Sequence, residues 1–399
     1  MKTLPLREWR QASGLPLSVA QRDLLRARFA AKVEPTTGAD GRYDVTPTNR
    51  IGAAVVDGTA IIIEPKVDIS NVMFLVSYAV DASAWQDDVA ALGSIPDLVT
   101  AMAGLYTRLT VQVLRRGLLA GYHPMADASH TVRGRIDLAE QLRRRPGLAL
   151  PLAVTWQEYD DDIIENQLLL AAARLLRPLP IRDPHVRHEL RRIIDTMQHV
   201  TPVQYQPGGV PAIIWTRLNQ HYRPAVELAR LLLQHTSVDL TSGTTRTPML
   251  ILNMADVFET FVRTALRRAL AATEAQFPPG KRIPLIPLDT RDNVRLYPDL
   301  SYWQNGRCRF VGDVKYKRDT GDGHSPDLYQ LLAYATATGL KDATLIYADG
   351  PTPAGHHDIR RTNISIRLHH LNLNTPPAQI LAQLTPLAVR IREAIEEGP

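Results

Sequence analysis

The segment YPDLSYWQNGRCRFVGDVKYK, residues 297–317, constrains the fold more than any other part of the sequence. Its Asn305-Gly306 pair separates two runs of strand-forming residues, which is a strong signal for a β-hairpin. The second run carries Asp313 and Lys315 two residues apart, so both side chains should point to one face of the strand. The hairpin must therefore hold two charged side chains together on an otherwise apolar strand.

The register of this hairpin decides whether a third charged residue joins them. With a three-residue loop at 305–307, or an equivalent bulge, Gln304 faces Cys308 and Asp299 falls opposite Asp313. A two-residue loop with regular pairing would slip the register by one residue and put the two carboxylates on opposite faces. A common site for these carboxylates therefore requires the longer loop or a bulge.

Two facing carboxylates are suited to a metal ion. At about 5 Å they repel each other unless a cation lies between them. Oxygen ligands favour Mg²⁺ or Mn²⁺ over Zn²⁺, so Asp299 and Asp313 are the predicted ligands. Lys315 beside them is predicted to orient a water nucleophile and offset charge on a phosphodiester. The alternative is a surface salt bridge, but Phe310 and Val311 make the strand apolar, and charges there need a reason.

Two predicted helices add polar residues to this candidate site. Gln330 and Tyr334 are four residues apart and lie on one face of the helix after the hairpin. We predict that Gln330 takes part in catalysis and that Tyr334 supports it. Glu259, in the helix before the hairpin, is the predicted extra catalytic carboxylate, with an exposed helix charge as the alternative. Lys317, two residues after Lys315, is predicted to contact DNA.

A basic segment at residues 105–150 has the charge to hold phosphate groups. Its arginines are Arg108, Arg115, Arg116, Arg133, Arg135, Arg143, Arg144 and Arg145, against Asp127, Asp137 and Glu140. We predict that Arg133, Arg135 and the cluster 143–145 bind DNA through charge-assisted contacts. The alternative is a solvated helical face.

The rest of the sequence divides into three segments with different patterns. Residues 1–75 read as short strands and turns and are predicted to form a β-rich domain. Residues 76–240 show helical spacing and are predicted to form a mostly helical region that links the domains and contacts DNA. Residues 241–399 read as a long helix at 249–274, three strands, a helix and a strand, with a parallel step across the second helix. The predicted fold is a multidomain α+β protein with a C-terminal α/β domain.

Whole-chain totals exclude several classes of protein. The 399 residues exceed one compact core, and 45% hydrophobic and 22% charged residues are ordinary for globular proteins. A single cysteine excludes an internal disulfide, and we find neither a signal peptide nor an apolar run of ~18 residues. We therefore expect a cytoplasmic protein without a membrane partner. No GxxxxGK[ST] motif occurs, so any energy from nucleotide hydrolysis must come from a partner protein.

Together the candidate residues match the PD-(D/E)xK nuclease pattern. Pro298-Asp299 is followed by Asp313-Val314-Lys315 and then by Gln330 and Tyr334 as a QxxxY-type pair. The chain also resembles the McrC family, the nuclease subunits of McrBC modified-cytosine restriction systems. The matching stretches are GTAIIIEPKVDISNVMFLVSYA (58–79), RGRIDL (133–138), ENQLLLAAARLL (165–176), RLNQHYRPAVELARLLL (217–233), NMADVFETFV (253–262), GDVKYKR (312–318) and DLYQLLAYA (327–335).

The resemblance implies an endonuclease subunit of a 5-methylcytosine-dependent restriction complex. It implies a Mg²⁺-dependent C-terminal domain that resembles restriction endonucleases, and an N-terminal region that docks on a hexameric AAA+ GTPase, McrB, and stimulates its hydrolysis. We accordingly predict cleavage by residues 241–399 and motor activation by the residues before 75. One alternative is a non-catalytic adaptor of an AAA+ motor with a vestigial nuclease site. Another is a free-standing repair nuclease or Holliday-junction resolvase, which would not need residues 1–240.

Overall fold

The computed structural model describes residues 2–38, 41–80, 97–206, 208–235, 248–279, 282–320, 323–351 and 355–396. Within these ranges the chain forms ten α-helices and seventeen β-strands in five sheets, so the fold is mixed α+β as predicted. It divides into two compact units: the first unit is Met1–Ala101 with Ile251–Pro399, and the second unit is Met102–Leu250. None of the described helices combines the length and apolar character needed to cross a membrane.

The elements are numbered along the chain. The helices are α1 (Val19–Ala27), α2 (Ile69–Val80), α3 (Leu98–Leu114), α4 (Leu138–Arg144), α5 (Ile164–Leu176), α6 (Pro184–Thr196), α7 (Arg223–His235), α8 (Met254–Ala269), α9 (Ser325–Thr338) and α10 (Pro377–Glu396). The strands are β1 (Lys2–Arg7), β2 (Ala12–Leu15), β3 (Lys32–Pro35), β4 (Tyr43–Thr46), β5 (Arg50–Val56), β6 (Thr59–Glu64), β7 (Gly121–Ser129), β8 (Arg135–Ile136), β9 (Leu152–Asp160), β10 (Met249–Asn253), β11 (Ile286–Pro287), β12 (Arg295–Leu296), β13 (Leu300–Gln304), β14 (Arg307–Arg318), β15 (Asp342–Asp349), β16 (His356–Asp358) and β17 (Ser365–His370).

The first unit is built from an N-terminal and a C-terminal segment of the chain. Strand β10 completes a four-stranded sheet of order β1-β6-β5-β10, and helix α2 packs against α8. Between these helices, Phe74 and Tyr78 each lie 5.4 Å from Phe261, measured between ring centroids, in edge-on contacts. The three consecutive domains expected from the sequence therefore do not coincide with the two units. The reason is that α2 and α8 bury their apolar faces against each other.

The second unit contains a sheet that the helical pattern did not reveal. Besides α5, α6 and α7, it has a three-stranded sheet of order β7-β9-β8. The nine-residue strands β7 and β9 pair antiparallel from Gly121 and Asp160 to Ser129 and Leu152. Strand β7 has the sequence GYHPMADAS, which lacks a regular apolar alternation. The middle region is therefore less purely helical than predicted.

A five-stranded sheet of order β13-β14-β15-β17-β16 carries the candidate site. The pairs β14–β15 and β15–β17 are parallel, which confirms the parallel step predicted across the intervening helix, α9. Helix α9 begins at Ser325 with a proline in its first turn and ends before Gly339, whose φ of +70° suits a left-handed C-cap. Val311, Leu331 and Leu345 form part of the fully buried core between helix and sheet.

The single long helix expected at 249–274 is wrong at both ends, since the observed helix α8 is Met254–Ala269. Residues Met249–Asn253 form the edge strand β10, and the helix starts only at Met254. Asn253 marks the change, because its side chain accepts a hydrogen bond from the backbone N–H of Ala255 at 3.1 Å and caps α8. A five-residue apolar run is too short to distinguish a strand from a helix by periodicity.

Candidate active site

The hairpin between β13 and β14 combines a two-residue turn with a bulge. Gln304 pairs with Arg307, so the loop is only Asn305 and Gly306, with φ of +52° and +74° as in a type I′ turn. The hairpin therefore does not use the three-residue loop, which was one of the two arrangements that the sequence allowed. A one-residue register shift further along leaves Arg309 as the extra residue of a bulge. This bulge is the other arrangement that the sequence allowed, and it restores the required register.

Beyond the bulge, the register places Asp299 opposite Asp313. Leu300 pairs with Gly312, so the next residue of each strand faces the other. Asp299 Oδ2 accepts a hydrogen bond from the backbone N–H of Val314 at 2.9 Å. Asp313 is fully buried; its Oδ2 lies 2.5 Å from the Lys315 ammonium, whereas its Oδ1 has no hydrogen-bond partner among the described residues. A buried carboxylate oxygen without a donor is costly in isolation and is suited to a cation.

Burial and like charge raise the pKa values of the acidic groups here. The pKa of Asp313 rises to about 7, first through burial and then through the charge of Asp299, while Lys315 opposes the rise. The pKa of Asp299 is raised by burial and then by Glu259. Burial also raises the pKa of Glu259, against the effect of Arg263. These carboxyls therefore repel one another in the absence of a cation.

Lys315 is held by an ion pair and by a chain of hydrogen bonds. Its Nζ lies 2.5 Å from Asp313 Oδ2 and donates to Gln330 Oε1 at 3.1 Å. Gln330 Nε2 donates to the Tyr334 hydroxyl at 2.6 Å, and this hydroxyl donates to the backbone carbonyl of Tyr297 at 3.2 Å. The structure thus brings the two polar residues of α9 to the lysine, as the i,i+4 spacing predicted.

Helix α8 contributes a carboxylate together with an arginine that the sequence analysis missed. Arg263 Nη1 lies 2.6 Å from Glu259 Oε1, and the Arg263 side chain is only 13% exposed. The i,i+4 spacing of these residues was the available signal. Within the described ranges, no group of three or more His, Cys, Asp or Glu side chains lies close enough to hold a metal. Asp299 and Asp313 therefore form the candidate ligand pair, and Glu259 acts on them through its charge.

Lys317 lies on the same face of β14 as Lys315. Its Nζ is 2.8 Å from Asp327 Oδ2, at the start of α9. The Tyr347 hydroxyl donates to the same carboxylate oxygen at 2.8 Å. Because the lysine side chain remains 38% exposed, a DNA contact by Lys317 stays a prediction.

The opposite face of β14 is anchored to the N-terminal part of the first unit. Tyr316 is 5% exposed, and its hydroxyl donates to Glu8 Oε2 at 3.3 Å. Lys66 Nζ lies 4.3 Å from the centroid of the Tyr316 ring, and the Lys66 backbone N–H donates to Glu8 Oε2 at 2.9 Å. The sequence analysis missed these contacts because no local pattern connects residues so far apart. The N-terminal strands therefore support the strand that carries Asp313 and Lys315.

In the second unit, Arg133 and Arg135 lie at the sheet of β7, β8 and β9, and among the described residues only the charge of Arg133 is offset by an ion pair. The Arg133 guanidinium lies 2.7 Å from Glu158 Oε2 and 4.6 Å from the centroid of the Trp156 ring. Arg135 is exposed on the short strand β8. These contacts fix the position of Arg133, and phosphate binding by both residues stays a prediction.

The arginine cluster 143–145 lies at the end of α4. Glu140 forms ion pairs with Arg143 at 2.7 Å and with Arg144 at 2.5 Å, while Arg145 is half-buried. Such i,i+3 and i,i+4 pairs are typical of a solvated helical face. The cluster therefore fits that alternative as well as it fits DNA binding, which stays a prediction.

Comparisons with known proteins agree on one family. A family model described as McrBC 5-methylcytosine restriction system component matches residues 45–348. The type IV methyl-directed restriction enzyme EcoKMcrBC of Escherichia coli strain K12 is 20% identical over an alignment of 298 positions that covers 68% of this chain and 81% of that protein.

Two solved structures are similar as well. A half-complex from a tetradecameric assembly of Thermococcus gammatolerans McrB AAA+ hexamers with bound McrC matches with a TM-score of 0.54 and 17% identity, covering 97% of this chain and 100% of that chain. The cryo-EM structure of the Thermococcus gammatolerans McrBC complex matches with a TM-score of 0.43 and 19% identity, covering 68% and 89%. The first match shows a shared fold over nearly the whole chain.

Proposed function

Because the chain belongs to the McrBC family of 5-methylcytosine restriction system components, we propose that it is the endonuclease subunit of such a restriction complex. The proposed reaction is metal-dependent hydrolysis of a DNA phosphodiester at a PD-(D/E)xK site. One observation carries this assignment: the hairpin bulge sets Asp299 opposite the buried Asp313, with Lys315 beside them. Two carboxylates and a fixed ammonium are the groups that metal-assisted phosphodiester hydrolysis needs.

The two aspartates fit Mg²⁺ or Mn²⁺. Both offer only oxygen ligands, and Asp313 Oδ1 has no hydrogen-bond donor among the described residues. Mg²⁺ in proteins commonly takes one or two carboxylates, and water and substrate phosphates complete its coordination. When bound here, such a cation would polarise a phosphate oxygen and lower the pKa of a water molecule. We therefore propose Asp299 and Asp313 as its ligands.

Lys315 supplies a positive charge where the phosphate reacts. Asp313 and Gln330 hold its ammonium from two sides, at 2.5 and 3.1 Å. Tyr334 in turn fixes the Gln330 amide. In the proposed mechanism the ammonium orients the attacking water and stabilises charge that develops on the phosphate. Because its partners are already in place, it needs little reorganisation during the reaction.

We propose a McrB-like AAA+ GTPase hexamer as the partner. The structural relative is McrC bound to McrB hexamers, and this chain lacks a phosphate-binding loop of its own. The partner would hydrolyse GTP and translocate DNA, while this chain stimulates the hydrolysis and cuts the DNA. Recognition of the modified base falls to the partner.

A non-catalytic adaptor with a vestigial site fits these observations less well. Buried acidic groups that raise one another's pKa lower the stability of a folded protein. An adaptor would gain nothing from keeping them beside an ordered lysine. A free-standing nuclease also fits less well, because the family match begins at residue 45 and includes the whole second unit.

The test is cleavage of DNA that contains 5-methylcytosine by this chain, its purified AAA+ partner and GTP. Mg²⁺ should support cleavage and a chelator should abolish it. Asp299→Asn should be inactive, whereas the control Asp358→Asn, whose aspartate side chain is 79% exposed in the same unit, should cleave like the wild type. Cleavage in the presence of the chelator, or full activity of Asp299→Asn, would contradict the proposal.

A further inference from the structure

Exposed apolar side chains concentrate in one part of the first unit. Among its described residues, eight large hydrophobic side chains are substantially exposed. Five of them belong to the segment 285–297 or to helix α9, and these are Leu285, Leu288, Val294, Tyr297 and Tyr329. Single exposed apolar residues are ordinary, but a cluster of them marks a contact surface.

The segment 285–297 is a two-stranded ribbon with one buried and one outward side. Ile286 pairs with Leu296 across β11 and β12. Ile286 is 3% exposed, and Leu296 packs against the core between α9 and the sheet. Because side chains alternate along a strand, Leu285, Arg295 and Tyr297 lie on the outward side, where all three are exposed. We call this outward side the ribbon face.

The ribbon face is rigidly connected to the candidate active site. The backbone carbonyl of Tyr297 accepts the hydrogen bond from Tyr334 that ends the chain from Lys315. Two residues further along is Asp299, and helix α9 packs against β11. The Tyr297 side chain is nevertheless 53% exposed. Its backbone is thus fixed by the groups that fix the lysine, while its ring is available to a ligand beside them.

We propose that the ribbon face, through Arg295 and Tyr297 at the end nearest the candidate active site, holds the DNA strand next to the phosphate that Lys315 faces. This inference rests on the proposed nuclease function and adds a substrate-binding surface to it. An aromatic ring can stack on a base of any sequence, and a guanidinium binds a neighbouring phosphate through charge-assisted hydrogen bonds. A two-stranded ribbon also has the dimensions to lie in a DNA groove.

The turn of the ribbon carries acidic residues, and one of them is already engaged. Asp289 Oδ1 accepts a hydrogen bond from the backbone N–H of Val294 at 2.9 Å. Backbone donors, with Val294 foremost, lower the pKa of this carboxyl. Asp289 therefore stabilises the turn as an anion. We place the DNA contact at the other end of the ribbon, at Arg295 and Tyr297, where the chain enters the candidate active site.

Crosslinking in the complete complex tests the occupant of this surface. The photoreactive residue p-benzoylphenylalanine replaces Tyr297 in the full chain, which is mixed with its AAA+ partner, GTP, Ca²⁺ in place of Mg²⁺, and labelled DNA containing 5-methylcytosine. The matched control carries the same residue at Val389, which is 43% exposed on α10 of the same unit. We expect crosslinks to DNA from position 297 and none from position 389. Crosslinks from position 297 to the partner alone, or none at all, would overturn the proposal.

Two substitutions measure the contribution of the ring. Tyr297→Ala should raise the DNA concentration for half-maximal cleavage about tenfold, because one stacked base is lost. Tyr297→Phe should behave like the wild type, because it keeps the ring, and neither variant should change the partner's GTP hydrolysis. An unchanged DNA requirement in Tyr297→Ala would overturn the inference.

The same measurements separate the inference from the function on which it rests. Suppose that position 297 crosslinks to DNA but the wild-type protein does not cleave DNA with Mg²⁺. That result would overturn the nuclease assignment and support the DNA-binding surface. Cleavage without crosslinks, together with full activity of Tyr297→Ala, would support the nuclease and overturn the surface.

Discussion

Asp313→Asn should stabilise the protein when divalent cations are absent, because it removes a buried charge. The pKa of Asp313 rises from an ordinary 3.8 to about 7, through burial first and then through Asp299. At pH 8 the group is ionised in both the folded and the unfolded chain, and this difference in pKa corresponds to about 4 kcal/mol of lost folding free energy. Asparagine keeps the shape without the charge. Because the raised pKa already includes the favourable charge of Lys315, we expect a net gain of at most about 4 kcal/mol.

The size of this gain should depend on pH in a defined direction. The folded carboxyl holds its proton more tightly than the unfolded one, so the wild type loses stability as the pH rises from 3.8 to about 7. Above that range the loss is complete. At pH 5, well below the raised pKa, less than half of this cost has developed. The advantage of Asp313→Asn should therefore fall to less than half of its value at pH 8.

Denaturant unfolding in a chelating buffer, at pH 5 and at pH 8, measures both effects. Asp358→Asn, which changes an exposed aspartate of the same unit, serves as the control and should match the wild type. Adding Mg²⁺ should then stabilise the wild type and leave Asp313→Asn nearly unchanged, because the variant lacks one ligand. If Asp313→Asn were less stable than the wild type at pH 8 in the chelator, the claim that the ionised Asp313 carboxylate destabilises the metal-free fold would be refuted.

Three further substitutions or deletions test other parts of the account. Deleting residues 1–70 should unfold the first unit rather than release a folded nuclease, because three strands of the sheet that β10 completes are lost. A native-like circular dichroism spectrum of the remaining chain would contradict this expectation. Replacing Arg133 and Arg135 by alanine should weaken DNA binding. It should also reduce the slope of log binding affinity against log salt concentration by about two phosphate contacts. An unchanged slope would favour the solvated-face alternative. Gln330→Ala should slow single-turnover cleavage about tenfold, since Lys315 loses one hydrogen bond, and an unchanged rate would remove Gln330 from the mechanism.

The candidate site was largely predictable because its signals are local. Asn305-Gly306 between strand-forming runs predicts the hairpin, and two-residue alternation puts Asp313 and Lys315 on one face. The i,i+4 spacing of α9 brings Gln330 and Tyr334 to one side. Sequence spacing left two arrangements of the hairpin open, because a two-residue turn with a bulge gives the same register as a three-residue loop.

The rest of the fold depends on contacts that no local pattern encodes. Strand β10 lies beside β5, some two hundred residues earlier, so the N-terminal and C-terminal parts of the chain form one unit where consecutive domains were expected. The contact of Glu8 with Tyr316 became visible only once the strands were packed, because the two residues lie about three hundred positions apart in the sequence. Strand β7 lacks alternation, and its partner alone shows that it is a strand.

The most direct measurement of the central claim uses Lys315→Ala in the complex with the AAA+ partner. Both DNA cleavage and the partner's GTP hydrolysis are measured on the same preparation, with circular dichroism to show that the variant is folded. Lys315 is 23% exposed and lies beside the two aspartates, so its loss should remove a reacting charge without changing the partner contact. We predict that cleavage falls to background while stimulated GTP hydrolysis keeps its wild-type rate. Wild-type cleavage by the folded variant, or loss of both activities, would contradict the account.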